Sequence, residues 1–186
     1  MRKEGTMRLC GWIASCGLMF LFHISDACAQ TPSLPPSQGQ FSLQWKGDTL
    51  AILTLTTDST SSRWSLSAPV YRFCTGDVDG DGSEDAMVGV LRKTRYFQEE
   101  GHRIWIFKNY HGLIRPLWMG SKLGGILQDF CFTDGRIRSL ECTTDGKYVV
   151  AEYRWAHFGM GFERFLVKNV SREEALAVFE DRKGNL

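Results

Sequence analysis

The chain has 186 residues, 22 Lys and Arg against 21 Asp and Glu, and a formal net charge of +1. Three of those basic and two of those acidic residues fall in the first 29 positions, so the remainder is formally neutral. A neutral chain has no basic excess with which to hold nucleic acid or an anionic membrane surface, and both are excluded as partners on that ground.

The amino terminus reads as an export signal. Arg2, Lys3 and Arg8 make a positive start, residues 9–24 form an apolar core, and Ala27-Cys28-Ala29 ahead of Gln30 is a small-x-small cleavage pattern. The apolar core is too short and wrongly flanked for a membrane span. The expectation is a signal peptide over 1–29 and a periplasmic or secreted protein. Cys28 keeps an alternative open, because a lipoprotein signal also ends at a Cys, and lipidation there is the one route to membrane attachment.

Cleavage after Ala29 leaves residues 30–186, enough for one domain with a sizeable core and too few for two. Residues 30–40, rich in Pro and Ser, read as a flexible linker. A single β-rich domain is expected over 41–186. Cys74, Cys131 and Cys142 remain beyond the signal, an odd number that permits at most one intrachain bridge. Small buried hydrophobes are the simpler reading of all three.

From Phe41 onward, short apolar runs alternate with turn signals at 41–46, 50–57, 63–67, 69–74, 86–92, 103–109, 113–118, 126–132, 136–141, 147–155 and 161–168. Gly47-Asp48, Asp134-Gly135 and Asp145-Gly146 supply residues that accept positive φ at the turns. Ile104-Trp105-Ile106-Phe107 is apolar on both faces and predicts a central strand covered on each side. Only the end of the chain reads as helical, where Ser171-Arg172-Glu173-Glu174 forms a capping box ahead of Ala175–Phe179. The fold class predicted is all-β, antiparallel sheets arranged as propeller-like blades or a sandwich, with a short C-terminal helix.

Five acids stand within nine residues in Asp77-Val78-Asp79-Gly80-Asp81-Gly82-Ser83-Glu84-Asp85. Such a run repels itself unless a cation screens it. Asp77, Asp79, Asp81, Asp85 and the Ser83 carbonyl have the spacing that wraps Ca²⁺ in oxygens, and Gly82 takes the sharp turn at loop position 6. Position 12 is Val88, which cannot ligate, so the loop leads into a strand and is no helix-loop-helix hand. A structural ion is the reading, because the loop itself supplies most of the coordination. Gly76 through Gly89 resembles the calcium loop and following strand of an FG-GAP repeat, the blade unit of integrin-α-type propellers. The resemblance covers 14 residues, and it implies Ca²⁺ on Asp77, Asp79, Asp81 and Asp85 tying two strands of one blade. It departs from the family in copy number, one loop where the family strings several around a ring. A second stretch, Leu117–Ser121 through Ala151–Trp155, resembles small exported bacterial proteins, some of which carry the label nuclear receptor-binding factor 2; no activity follows from it.

A weaker internal echo relates Arg72–Asp77 to Asp129–Gly135, about one blade apart. Two segments have the composition of recognition loops. One contains Arg95, Tyr96, Phe97 and His102, and the other Trp155, His157 and Phe158. Each is also an ordinary hairpin or core composition. No nucleophile elbow, phosphate-cradling loop or His-Glu-x-x-His helix is present, and the enzyme question leans to no. The function expected is a non-enzymatic exported binding or interaction module with a protein or glycan ligand. Two alternatives stay open: a carbohydrate-active or other hydrolase using two of Glu99, Glu100, Glu141, Glu152 and Glu163, and an envelope assembly component.

Overall fold

Eleven strands and one helix follow one another in the order the apolar runs predict. In the computed structural model, which describes residues 39–95, 97–120 and 122–181, they are β1 (Gly39–Gly47), β2 (Leu50–Thr57), β3 (Ser61–Leu66), β4 (Val70–Gly76), β5 (Asp85–Arg92), β6 (Gly101–Tyr110), β7 (Leu113–Met119), β8 (Ile126–Thr133), β9 (Arg136–Cys142), β10 (Tyr148–Ala156), β11 (Gly159–Val170) and α1 (Arg172–Glu180). The signal, Cys28 and most of the linker lie outside the described residues. The linker reading is corrected at its end: Gly39 and Gln40 pair with Thr57 and Thr56 as the start of β1. Gly39 can do so because it has no side chain; a Cβ there would stand 2.7 Å from Leu55 and 2.9 Å from Asn109.

Each sheet is an antiparallel meander of consecutive strands: β1-β2-β3, then β4-β5-β6-β7, then β8-β9-β10-β11. Hairpin turns dictate this, and several of them hold residues with positive φ: His111-Gly112 between β6 and β7, Asp134-Gly135 between β8 and β9, and Gly146 before β10.

The middle sheet is covered on both faces, which is why β5 and β6 carry near-continuous apolar runs. Alternate residues serve opposite cores. Ala86, Val88, Val90, Trp105 and Phe107 pack against Phe41, Leu53 and Leu55 of the first sheet. Met87, Ile104 and Ile106 face the third sheet and meet Phe130 and Ile137. Val88, in the core against the first sheet, is fully buried, a packing residue where a helix-loop-helix hand would have its last ligand. Each such side chain contributes ~1.5–3 kcal/mol when buried.

The stack stops at both ends for visible reasons. The outward face of the first sheet is polar, with Gln40, Ser42, Gln44, Arg63 and Ser65 exposed. The outward face of the third is roofed by α1, whose Ala175 and Phe179 pack on Leu140 and Val150. A polar face and a helix cap an open array that would otherwise present an apolar layer. No sheet among the described residues closes into a barrel.

Cys74, Cys131 and Cys142 form no disulfide. Cys74 packs in the core between the second and third sheets and Cys131 in the core under α1. The two cores lie on opposite sides of the third sheet. Burial, and then the neighbouring Cys131, push the Cys74 thiol up to about 12.

Candidate metal centre

The acidic run connects the end of β4 to the start of β5, and its own backbone folds around its carboxylates. Asp77 accepts N–H groups from Gly80 (2.8 Å) and Gly82 (3.0 Å). Asp79 accepts from Asp81 N–H and Asp81 from Ser83 N–H. These short-range bonds need the chain to turn back on itself, and Gly80 and Gly82 do so with φ of 77° and 83°. The loop is thereby shaped by its own hydrogen bonds.

Asp77, Asp79 and Asp85 each place a ligand atom within 4.8 Å of the others, a group that can hold a metal ion. Two oxygens on opposite sides of one Ca²⁺ stand about 4.6–5.2 Å apart, so the spread fits a single hard cation. Asp81 stands outside this group, with Oδ2 on the ammonium of Lys108. Ser83 enters the loop through its N–H, which Asp81 accepts at 2.8 Å.

Asp85 is the unusual member. It is fully buried, its Oδ2 accepts Val78 N–H at 3.0 Å, and its Oδ1 has no hydrogen-bond partner. A buried oxygen of this kind is costly unless something positive meets it. Burial pushes the Asp85 carboxyl up to about 7, with Asp79 and Asp81 adding to the rise and Val78 N–H opposing it.

Two long-range connections fix the loop, and neither is visible in its own sequence. Lys108 on β6 sets Nζ 2.7 Å from Asp79 Oδ2 and 2.8 Å from Asp81 Oδ2. Burial disfavours its charge, but those two bonds outweigh burial and raise its affinity for the proton. Glu84 points away from the centre: Oε1 accepts Phe41 N–H of β1 at 3.4 Å and Oε2 the Thr75 hydroxyl at 3.0 Å. The loop therefore fastens the first sheet to the second. The partners of Lys108 are 27 and 29 residues away and that of Glu84 is 43 away, distances at which a sequence carries no local signal.

The candidate recognition residues scatter. Arg95 and Phe97 are exposed on the β5–β6 connection, and Arg103 and Lys122 stand over the Phe97 ring; Tyr96 lies outside the described residues. His102 stacks on Tyr71 with ring centroids 4.1 Å apart, so it belongs to packing. Trp155 packs against the core between the second and third sheets. His157, with φ of 57°, and Phe158, 89% exposed, form the tip of the β10–β11 hairpin. Among the candidate carboxylates, Glu141 and Glu152 are both buried but lie on opposite faces of the third sheet, since Glu152 pairs with Arg138 and Glu141 shares the face of Ser139. They do not flank one substrate.

The 57-residue echo takes on a physical meaning in β4 and β8. Arg72 and Asp129, its corresponding positions, are bonded to each other, Nε to Oδ1 at 2.8 Å and Nη2 to Oδ2, joining the second sheet to the third. Comparison of the chain with known protein families, with curated proteins and with solved structures finds no match. No helix among the described residues is long and apolar enough to cross a membrane.

Proposed function

We propose that this chain is an exported calcium-binding β-domain that acts as a non-enzymatic binding or interaction module, with Ca²⁺ in a structural role. The observation that carries the calcium half is the buried, unpartnered Asp85 Oδ1 beside Asp77 and Asp79. The ligands are Asp77, Asp79, Asp81 and Asp85, the set that the FG-GAP resemblance implies, together with the Ser83 carbonyl that calcium-loop spacing adds. Ca²⁺ suits it better than Mg²⁺, because an all-oxygen loop of carboxylates and carbonyl is the larger, more flexible cage and Mg²⁺ demands a tighter octahedron. Bound there, the ion supplies the missing partner of Asp85 and locks a loop that already ties β1 to β4 through Glu84.

Export and the ligand class, protein or glycan, rest on the signal-like amino terminus and on the neutral, β-rich domain that follows. Calorimetry with Ca²⁺ and thermal melts with and without chelator test the calcium half. Binding at about 10⁻⁴ to 10⁻³ M and a melt raised by Ca²⁺ are expected. No heat of binding and an unchanged melt would remove it. Intact-mass analysis of the exported protein reads the terminus: cleavage after Ala29 is expected, and an acylated Cys28 would instead anchor the domain to a membrane.

A further inference from the structure

The inward face of β10 and β11 carries a cleft of about 500 Å³. Its volume lies in the range of small-ligand sites, about 300–1,000 Å³. Leu123, Met160, Phe162 and Phe165 make an apolar wall, and Glu141 and Tyr153 make the floor. Phe162 and Phe165 are 53% and 50% exposed, with ring centroids 4.6 Å apart, and Tyr153 meets Phe162 edge-on at 5.9 Å. They share that face because Tyr153 pairs with Phe162 and Ala151 with Phe165 across the hairpin.

The floor is built, and it is anionic. Glu141 is 3% exposed and Tyr153 4%. Glu141 Oε1 accepts the Tyr153 hydroxyl at 2.8 Å and the Ser139 hydroxyl at 2.6 Å, and Oε2 accepts Gly125 N–H. The Tyr153 hydroxyl accepts Gly124 N–H at 3.0 Å. Burial, and then the Glu141 carboxylate, hold the Tyr153 phenol above its ordinary range, so it stays a donor. A carboxylate offers about four acceptor positions, and three are used here, by neutral donors only.

The other buried glutamate of the same sheet shows what is missing. Glu152 is met by guanidinium groups, Arg138 Nη2 at 3.1 Å and Arg164 Nε at 2.8 Å. Glu141 pairs with no Lys, Arg or His among the described residues. Lys122, which also lines the cleft, sets Nζ 5.5 Å from the Phe97 ring centroid, and Lys168 sets Nζ 5.7 Å from that of Phe165; neither is paired with Glu141. A desolvated negative charge at the base of an aromatic-walled cleft is complementary to a cation, through Coulomb attraction below and ring faces beside it.

We propose that this cleft binds an organic ammonium ligand, a protonated amine on an apolar body, with the ammonium donating to Glu141 Oε2 and the body lying across Phe162 and Phe165. The inference deepens the binding-module reading, on which it rests, and it does not depend on the calcium loop. A neutral hydroxyl would satisfy the acceptor but leave the charge unmet. An anion would be repelled by Glu141.

The test is titration of the whole exported chain, in Ca²⁺ and in chelator, with phenethylammonium, 2-phenylethanol and phenylacetate, read by calorimetry and by the NMR shift of the Met160 methyl. Phenethylammonium is expected to saturate the cleft in both conditions, 2-phenylethanol to bind at least about ten-fold more weakly, and phenylacetate not to bind up to about 10 mM. Glu141→Gln should weaken phenethylammonium at least about ten-fold and leave 2-phenylethanol unchanged. Phe165→Ala, at a half-exposed position that folding tolerates, should weaken both and serves if Glu141→Gln does not fold. Equal binding of all three probes overturns the ammonium assignment and leaves the binding-module reading standing. Failure of every probe to bind overturns the cleft as a ligand site, and neither result bears on the heat of Ca²⁺ binding.

Discussion

Asp85 makes the metal-free protein sensitive to pH in an unusual direction. Its carboxyl is held up to about 7 when folded and returns to about 3.9 when unfolded. The folded state therefore keeps its proton where the unfolded state has lost it, and stability falls as pH rises from about 4 through 7. At full ionisation the loss is on the order of a few kcal/mol. In chelator, melts should decline over that window; a flat profile would count against a lone buried carboxylate. Asp85→Asn keeps an acceptor for Val78 N–H and removes the charge. It should melt above the wild type in chelator at pH 8 and below it in excess Ca²⁺, a reversal that simple damage to packing cannot produce.

Lys108 is the second residue whose effect has a sign. Its ammonium neutralises Asp79 and Asp81, so a cation entering the loop has to compete with it for the same oxygens. Lys108→Gln is expected to tighten Ca²⁺ binding by about ten-fold, ~1.4 kcal/mol, and to lower the melting temperature in chelator. Calorimetry and melts on one preparation read both; weaker Ca²⁺ binding in the variant would contradict the competition.

Among the elements, β5 is the most constrained. It is buried along most of its length, and at Gly89 a side chain has no room: a Cβ would stand 2.6 Å from Tyr71, 2.9 Å from the Arg72 Cβ and 2.9 Å from Phe130. Gly89→Ala should cost about 1–3 kcal/mol in urea unfolding. Gly47→Ala, with nothing within 4 Å of the added carbon, is the comparison and should change little. The helix is held by its first turn, where Ser171 Oγ accepts Glu174 N–H at 3.3 Å and Glu174 Oε2 accepts Ser171 N–H at 2.9 Å. Ser171→Ala should cost about 1 kcal/mol. The strands were legible because their alternation and turns are local, and the capping box was legible for the same reason. The His111-Gly112 turn escaped because histidine at φ of 52° is an uncommon turn former.

At the scale of the whole molecule, α1 is a roof. It buries the Leu140 and Val150 face of the third sheet, so a chain ending at Val170 should bind a hydrophobic dye such as ANS and associate at concentrations where the full chain does not. Unchanged dye binding and a monomeric elution would show that the roof is dispensable. The opposite end needs no such cover, because Gln40, Ser42, Gln44, Arg63 and Ser65 make its outward face polar.

By itself the sequence determined the succession of strands along the chain, the capped helix and the loop that gathers acids. All of these depend on residues within a dozen positions of one another, where periodicity and turn chemistry operate. Tertiary structure alone decided that three sheets stack with the middle one covered twice, that Lys108 and Glu84 complete the loop, and that Arg72 bonds Asp129. It also decided that Glu141 is a buried carboxylate with only neutral partners while Glu152 has its guanidinium groups. The reason is that charge compensation and burial are properties of neighbours in space. A glutamate in a strand reads the same in the sequence whether an arginine or a cleft lies across from it.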